Sequence, residues 1–275
     1  MIEFLLEKLV LNSWPIRRVI GKKIIKKFQI GSYEWRLKMG TIERPYYGYC
    51  VYNAALLAKK LNYKRISVLE FGVAGGAGLL NLEYHAEKIS ELFGIEIDIY
   101  GFDTGEGLPD PVDYRDLPYH WQKGFFKMDV FQLQSRLKKA KLVLGNIKET
   151  SRDFFEKYNP APIGAISYDF DFHSSTVDAL NMLDAGEKYY LPRVFCYFDD
   201  TMGSEAELYN DYIGQRLAIN EFNQSHKEVK LGIPYYLFAK KIIENWYYQI
   251  WVCHFFKHSH YNEFVSEASP KNCTR

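Results

Sequence analysis

"VLEFGVAGGAGLL", residues 68–80, runs from an apolar strand through an acid, Glu70, into four glycines. Glycine in such number is costly unless the main chain needs the room, so something must approach the backbone closely there. Working outward, "RISVLEFGV" (65–73) reads as a strand, "GGAGLLNLEYHAEKISELFG" (75–94) as a helix and "IEIDIYGFDT" (95–104) as a second strand. A strand, a glycine loop, a helix and a strand form the nucleotide-binding half of a doubly wound sheet. Downstream, strands are predicted at 140–147, 164–172 and 193–201, with helices at 129–139 and 174–190. That alternation argues one parallel sheet. The β-rich stretches 235–241 and 248–256 are expected to finish it as an antiparallel pair. The expected fold is therefore α/β, Rossmann-like and doubly wound, mostly parallel, with a C-terminal antiparallel strand.

Upstream, helical patterns at 3–11 and 16–30 form an N-terminal extension (1–44), and a third at 49–63 opens the main domain (45–265), leaving a tail (266–275). "RRVIGKKIIKKF" (17–28) mixes cations with Val, Ile and Phe. It is either an interfacial or partner-binding helix or a capping helix with a solvated basic face. The net charge of +1 over 275 residues gives no nucleic-acid footprint. No run of about 18 apolar residues exists, so no membrane span is expected. The N-terminus lacks the basic-then-apolar order of a signal peptide, and a cytoplasmic protein is expected. Cys50, Cys196, Cys253 and Cys273 are far apart, which excludes a zinc pattern and reads as free thiols. Sequons at Asn223 and Asn272 are discounted for want of any sign of secretion.

The glycine loop fits neither phosphate motif. Reading from Gly76, the third glycine of G-x-G-x-x-G is replaced by Asn81, and no Lys-Ser/Thr follows for a P-loop. Glu70, two residues before Gly72, suits a cationic or neutral-polar ligand, and S-adenosylmethionine carries a sulfonium and an ammonium. Asp103, at the end of the next strand, is placed for a ribose diol. Each acid alone has a local alternative, a helix-start carboxylate for Glu70 and a turn former for Asp103.

"EFGVAGG", "GFDTGEGLP" (101–109), "YDFDFHSST" (168–176) and "FDD" (198–200) together resemble class I S-adenosylmethionine-dependent methyltransferases, most of all the macrocin O-methyltransferase family. The resemblance covers roughly residues 45–256. It implies that Glu70, Gly72 and Gly76 form the cofactor loop and that Asp103 meets the ribose. It also implies that Asp171, Asp199 and Asp200 hold a divalent cation, usually magnesium. His173 stands where the family commonly has Tyr, Thr201-Met202-Gly203 replaces a frequent Tyr-Gly, and Gly105 replaces a bulkier residue. These departures fall on the acceptor side.

Independently of family, residues 169 and 171 share a face by the period of two, and Asp199 and Asp200 end the next strand. Packed carboxylates repel, a bound cation removes that cost, and oxygen-only ligands favour magnesium, manganese or calcium. Helix capping is the local alternative for Asp171 and Asp200. His173 is a candidate base, with a packing histidine as its alternative and Asp171 as its rival. Asn146 could contact an adenine edge or form a turn. Trp121 could cover adenosine or acceptor, while Phe125 and Phe126 are read as core. His254, His258 and His260 are read as a strand ending in a polar turn. The implied activity is magnesium-assisted methyl transfer to a hydroxyl of a small-molecule or glycan acceptor, in a chain that could form a homo-oligomer. The alternatives are a catalytically inactive cofactor-binding scaffold and a nucleotide-sugar enzyme on a similar fold.

Overall fold

A computed structural model describes residues 2–7 and 15–266. Cys273, Asn272, the tail beyond residue 266 and the end of the helix predicted over 3–11 lie outside the described residues. The N-terminal part contains α1 (Ile2–Leu6), α2 (Pro15–Phe28) and α3 (Tyr33–Lys38), and α4 (Pro45–Lys60) follows. Pro45 starts α4 because its missing N–H is one of the helix's unpaired donors in any case.

The alternating part contains β1 (Arg65–Phe71), α5 (Ala77–Phe93), β2 (Glu96–Asp103), α6 (Val130–Arg136), β3 (Lys141–Leu144), α7 (Ile147–Tyr158), β4 (Ile163–Tyr168), α8 (His173–Leu180), β5 (Tyr190–Phe198) and α9 (Gly214–Ser225). β6 (Val229–Gly232) and β7 (Ile250–Phe255) complete it. The sheet order is β3-β2-β1-β4-β5-β7-β6, parallel except that β7 runs antiparallel to both β5 and β6. This is the mixed, doubly wound sheet expected from the sequence.

One predicted strand is corrected. Residues 235–241 are not a strand: Tyr235–Leu237 is a short 3-10 turn, and the pairing partner of β7 is β6. Pro234 lacks the N–H a ladder needs and lies just after that pairing ends at Gly232. The aromatics of 235–241 pack as an irregular segment instead. Helices α3, α7 and α9 were not anticipated, and the helix predicted over 174–190 breaks after Leu180 into 3-10 turns.

Both faces of the sheet are covered. Ile66 and Val68 of β1 join the core beneath α4 and α5, whereas Leu69 and Phe71 join the core beneath α7, α8 and α9. Burial on both sides is what makes these strands continuous apolar runs. The carboxyl ends of β1, β2, β4 and β5 therefore meet at one edge, where strand order reverses between β1 and β4. Open α/β sheets bind ligands at that point.

Candidate functional site

The protein's own chain accounts for most of the glycine loop. A Cβ on Gly72, which has φ +81°, would fall 1.8 Å from the Asp169 carbonyl oxygen. On Gly78 it would fall 1.9 Å from Glu70 Oε1, and on Gly76, with φ +80°, 2.1 Å from a Leu133 methyl. Gly75 differs: a Cβ there meets nothing within 4 Å, and the residue borders a cavity. Gly72, Gly76 and Gly78 thus let strand ends and helix close on one another, Gly72 and Gly78 bordering the cavity as well, while Gly75 is open towards a ligand alone.

Glu70 is buried beneath this turn. Its Oε1 accepts a 2.7 Å hydrogen bond from the Tyr47 hydroxyl, while its buried Oε2 has no partner. Burial pushes its carboxyl up to about 8, against the Tyr47 hydrogen bond and the Arg44 charge, which both pull down. An orphaned buried carboxylate oxygen is costly unless something binds it. Asp103 ends β2 and ties the turn down. Its Oδ2 accepts from the Val73 and Ala74 amides at 2.8 and 2.9 Å, and its Oδ1 from the Gly105 amide at 2.7 Å. Hydrogen bonds to a charged group contribute about 1.5–3 kcal/mol each, so Asp103 is a structural clamp as well as a cavity wall.

Asp169, Asp199 and Asp200 each bring a carboxylate oxygen within 4.8 Å of the others. In this cluster Asp169 stands with Asp199 and Asp200, where the sequence reading expected Asp171. β4 ends at Tyr168, and Asp171 is left-handed at φ +62°, so the alternation that put 169 and 171 on one face stops before it reaches 171. Asp171 instead donates its amide to Asp200 Oδ2 at 2.9 Å and borders the cavity beside the cluster. Asp200 Oδ1 also accepts from the Tyr209 hydroxyl at 3.2 Å, and the Asp199 carboxylate accepts from the Tyr197 hydroxyl. Burial first, then repulsion from neighbouring carboxylates, raises the carboxyls of Asp169, Asp171 and Asp200. A hard cation relieves that repulsion, and an all-oxygen donor set matches magnesium, manganese or calcium.

His173 does not line the cavity. Its ring is buried at the start of α8, and Nε2 pairs with Glu221 Oε2 at 2.7 Å. Asn146 caps α7, accepting from the Lys148 amide at 2.9 Å, and also borders the cavity. Trp121 and Phe126 border it too. Phe125 and Phe126, expected in the core, are 41% and 50% exposed. Gly107 lets the main chain of their loop pack closely. It approaches Phe125 so closely that a Cβ would lie 2.4 Å from the Phe125 oxygen, and the Leu108 and Gly124 backbones pair there.

Sequence reading missed Arg44, the one cation bordering the cavity among the described residues. It precedes α4 in a left-handed conformation at φ +38°, with its guanidinium 5.5 Å from the Tyr47 ring centre. The proline after it was the available signal, since the residue before proline is pushed away from helical angles. The cavity that gathers these groups holds about 410 Å³ and is bordered by Arg44, Glu70, Gly75, Asp103, Asn146 and the acidic cluster. Its size is typical of a small-molecule site.

No family model and no curated protein sequence matches the chain. Solved structures do match. CalS11, a calicheamicin methyltransferase, aligns over 90% of this chain and 95% of its own with a TM-score of 0.51 and 16% identity. The fold is that of the class I methyltransferases. NovP, an O-methyltransferase, aligns over 76% of this chain and 79% of its own, with a TM-score of 0.50 and 13% identity. In this methyltransferase fold the cavity occupies the carboxyl-end crevice that the topology leads to.

Proposed function

We propose that the chain is an S-adenosylmethionine-dependent O-methyltransferase whose acceptor is a hydroxyl of a sugar, glycan or other natural product. One observation carries this: a single cavity joins the glycine turn and its orphaned acid to a three-carboxylate cluster. The similarity to the fold of CalS11 and NovP supports it.

Glu70 and Arg44 stand at the β1 end, which suits the ammonium and carboxylate of an amino-acid group, since an ammonium beside Glu70 would draw its carboxyl into the ionised form. Asp103 suits ribose hydroxyls, and Asn146 suits the adenine edge. Asp169, Asp199 and Asp200 would hold a divalent cation, magnesium first. When bound, S-adenosylmethionine supplies an electrophilic methyl group, and the cation supplies charge that favours the ionised acceptor hydroxyl. The chain's own residues orient the acceptor, exclude water and take its proton. Trp121 and Phe126 cover the acceptor side, and fixing two reactants in line removes much of the entropic barrier. Asp171 takes the proton, since it borders the cavity beside the cluster and His173 does not.

Calorimetry of S-adenosylhomocysteine with and without magnesium tests the cofactor class. Micromolar binding is expected. Absence of binding in both conditions refutes it and favours a nucleotide-sugar ligand.

A further inference from the structure

Helix α2 takes no part in the cavity. It carries six cations, Arg17, Arg18, Lys22, Lys23, Lys26 and Lys27, and no acid. Its inner side consists of the buried Gly21 and Ile25, with Arg18 and Lys22 both paired to Glu244, Lys22 at 2.6 Å. Lys26 pairs with Glu43 at 2.7 Å. The outer side is different. Val19, Ile20, Ile24 and Phe28 are between 46% and 67% exposed. At roughly 100° per residue, Arg17, Lys23 and Lys27 fall in the same outward arc. None of these three has an acidic partner among the described residues, and Lys27 lies 5.7 Å from the Phe28 ring centre.

The Glu244 pairs set segment 235–248 beside α2. That segment exposes Tyr235, Tyr236, Ile243, Tyr248 and Lys241, and its only acid is Glu244 itself. The two neighbouring segments expose apolar and aromatic side chains interspersed with cations that have no acidic partner among the described residues. Two copies meeting through it would bring like charges together with no free acid to offset them. An anionic lipid surface complements both components. Apolar side chains enter the acyl boundary, lysines stay at the headgroups, and tyrosines sit between.

We propose that α2 and segment 235–248 together dock the protein on an anionic lipid surface. Gln249, next after the segment, donates from Nε2 to the Asp199 main-chain oxygen at 2.6 Å, which ties the end of this segment to the turn that carries Asp199. The proposal goes beyond methyl transfer and stands or falls without it.

The test is co-sedimentation of the full chain with vesicles of phosphatidylcholine alone or mixed with phosphatidylglycerol, at low and high salt. Binding is expected only to the anionic vesicles, weakening with salt. Lys23→Gln and Lys27→Gln should each weaken it roughly fivefold. Ile20→Ser with Ile24→Ser should weaken it at either salt concentration, with the melting temperature unchanged. Failure to bind anionic vesicles overturns the proposal. So does a serine variant that converts a dimer to a monomer while vesicle binding persists, because the face is then a contact between copies.

Discussion

Replacing Gly75 and Gly72 by alanine separates a glycine kept for a ligand from one kept for the fold. At Gly72 the new side chain adopts a left-handed angle, costing roughly 1–2 kcal/mol. It also overlaps a main-chain oxygen 1.8 Å away. Forced overpacking adds about 1–3 kcal/mol. For a domain of this size each kcal/mol lowers the melting temperature by about 2–4 °C, so Gly72→Ala should lose roughly 4–20 °C. Gly75 is not left-handed and its Cβ would meet open space, so Gly75→Ala should leave the melting temperature unchanged or slightly raised. Its methyl enters the cavity, and the same overpacking figure becomes a loss of S-adenosylhomocysteine affinity of about fivefold to a hundredfold. Differential scanning fluorimetry with and without that ligand, followed by calorimetry, reads both effects. Equal destabilisation by the two substitutions, or undiminished ligand affinity in Gly75→Ala, would refute the division of roles.

Asp199→Asn should abolish magnesium binding by calorimetry and abolish turnover while sparing S-adenosylhomocysteine affinity; full activity of the variant in chelator would discard the cation site. Glu70 is raised from 4.5 to about 8 by burial, so the folded chain holds a proton that the unfolded chain has released between those values, and stability falls as pH rises through that window. Glu70→Gln should flatten the fall by at most about 1.4 kcal/mol per pH unit, read as the difference between variant and parent melting curves, since Asp169, Asp171 and Asp200 slope the same way in both. Arg44→Ala should weaken S-adenosylhomocysteine but not 5′-methylthioadenosine, which lacks the amino-acid carboxylate; equal weakening of both would place Arg44 elsewhere in the cavity.

The central fold was legible because its signals are local. Residues 65–104 carry an apolar strand, a glycine turn, a periodic helix and a second strand within one βαβ unit. The errors fell where tertiary context decides. "YYLFAKK" has strand-like composition, yet the ladder belongs to "VKLG", a four-residue strand too short to stand out. Phe125 and Phe126 look like core residues, yet both are half exposed on a loop whose main chain packs closely on Gly107.

The site shows the same boundary more sharply. Asp103 ends β2, and Asp199 and Asp200 follow β5 at once in a 3-10 turn, so their place at the carboxyl end of the sheet needs no side-chain alternation to predict it. Asp169 and Asp171 come after β4 has ended, where a period of two no longer applies. One residue in a left-handed conformation redirects Asp171 and leaves Asp169 to complete the cluster. His173 lies two residues further on, already in α8, and its ring turns to Glu221. Gly72 links the two failures to the opening motif: its missing Cβ is what lets the Asp169 carbonyl approach β1. Gly72 borders the cavity and also acts one step back, by leaving room for the main chain just after β4 that carries Asp169 to the acids following β5.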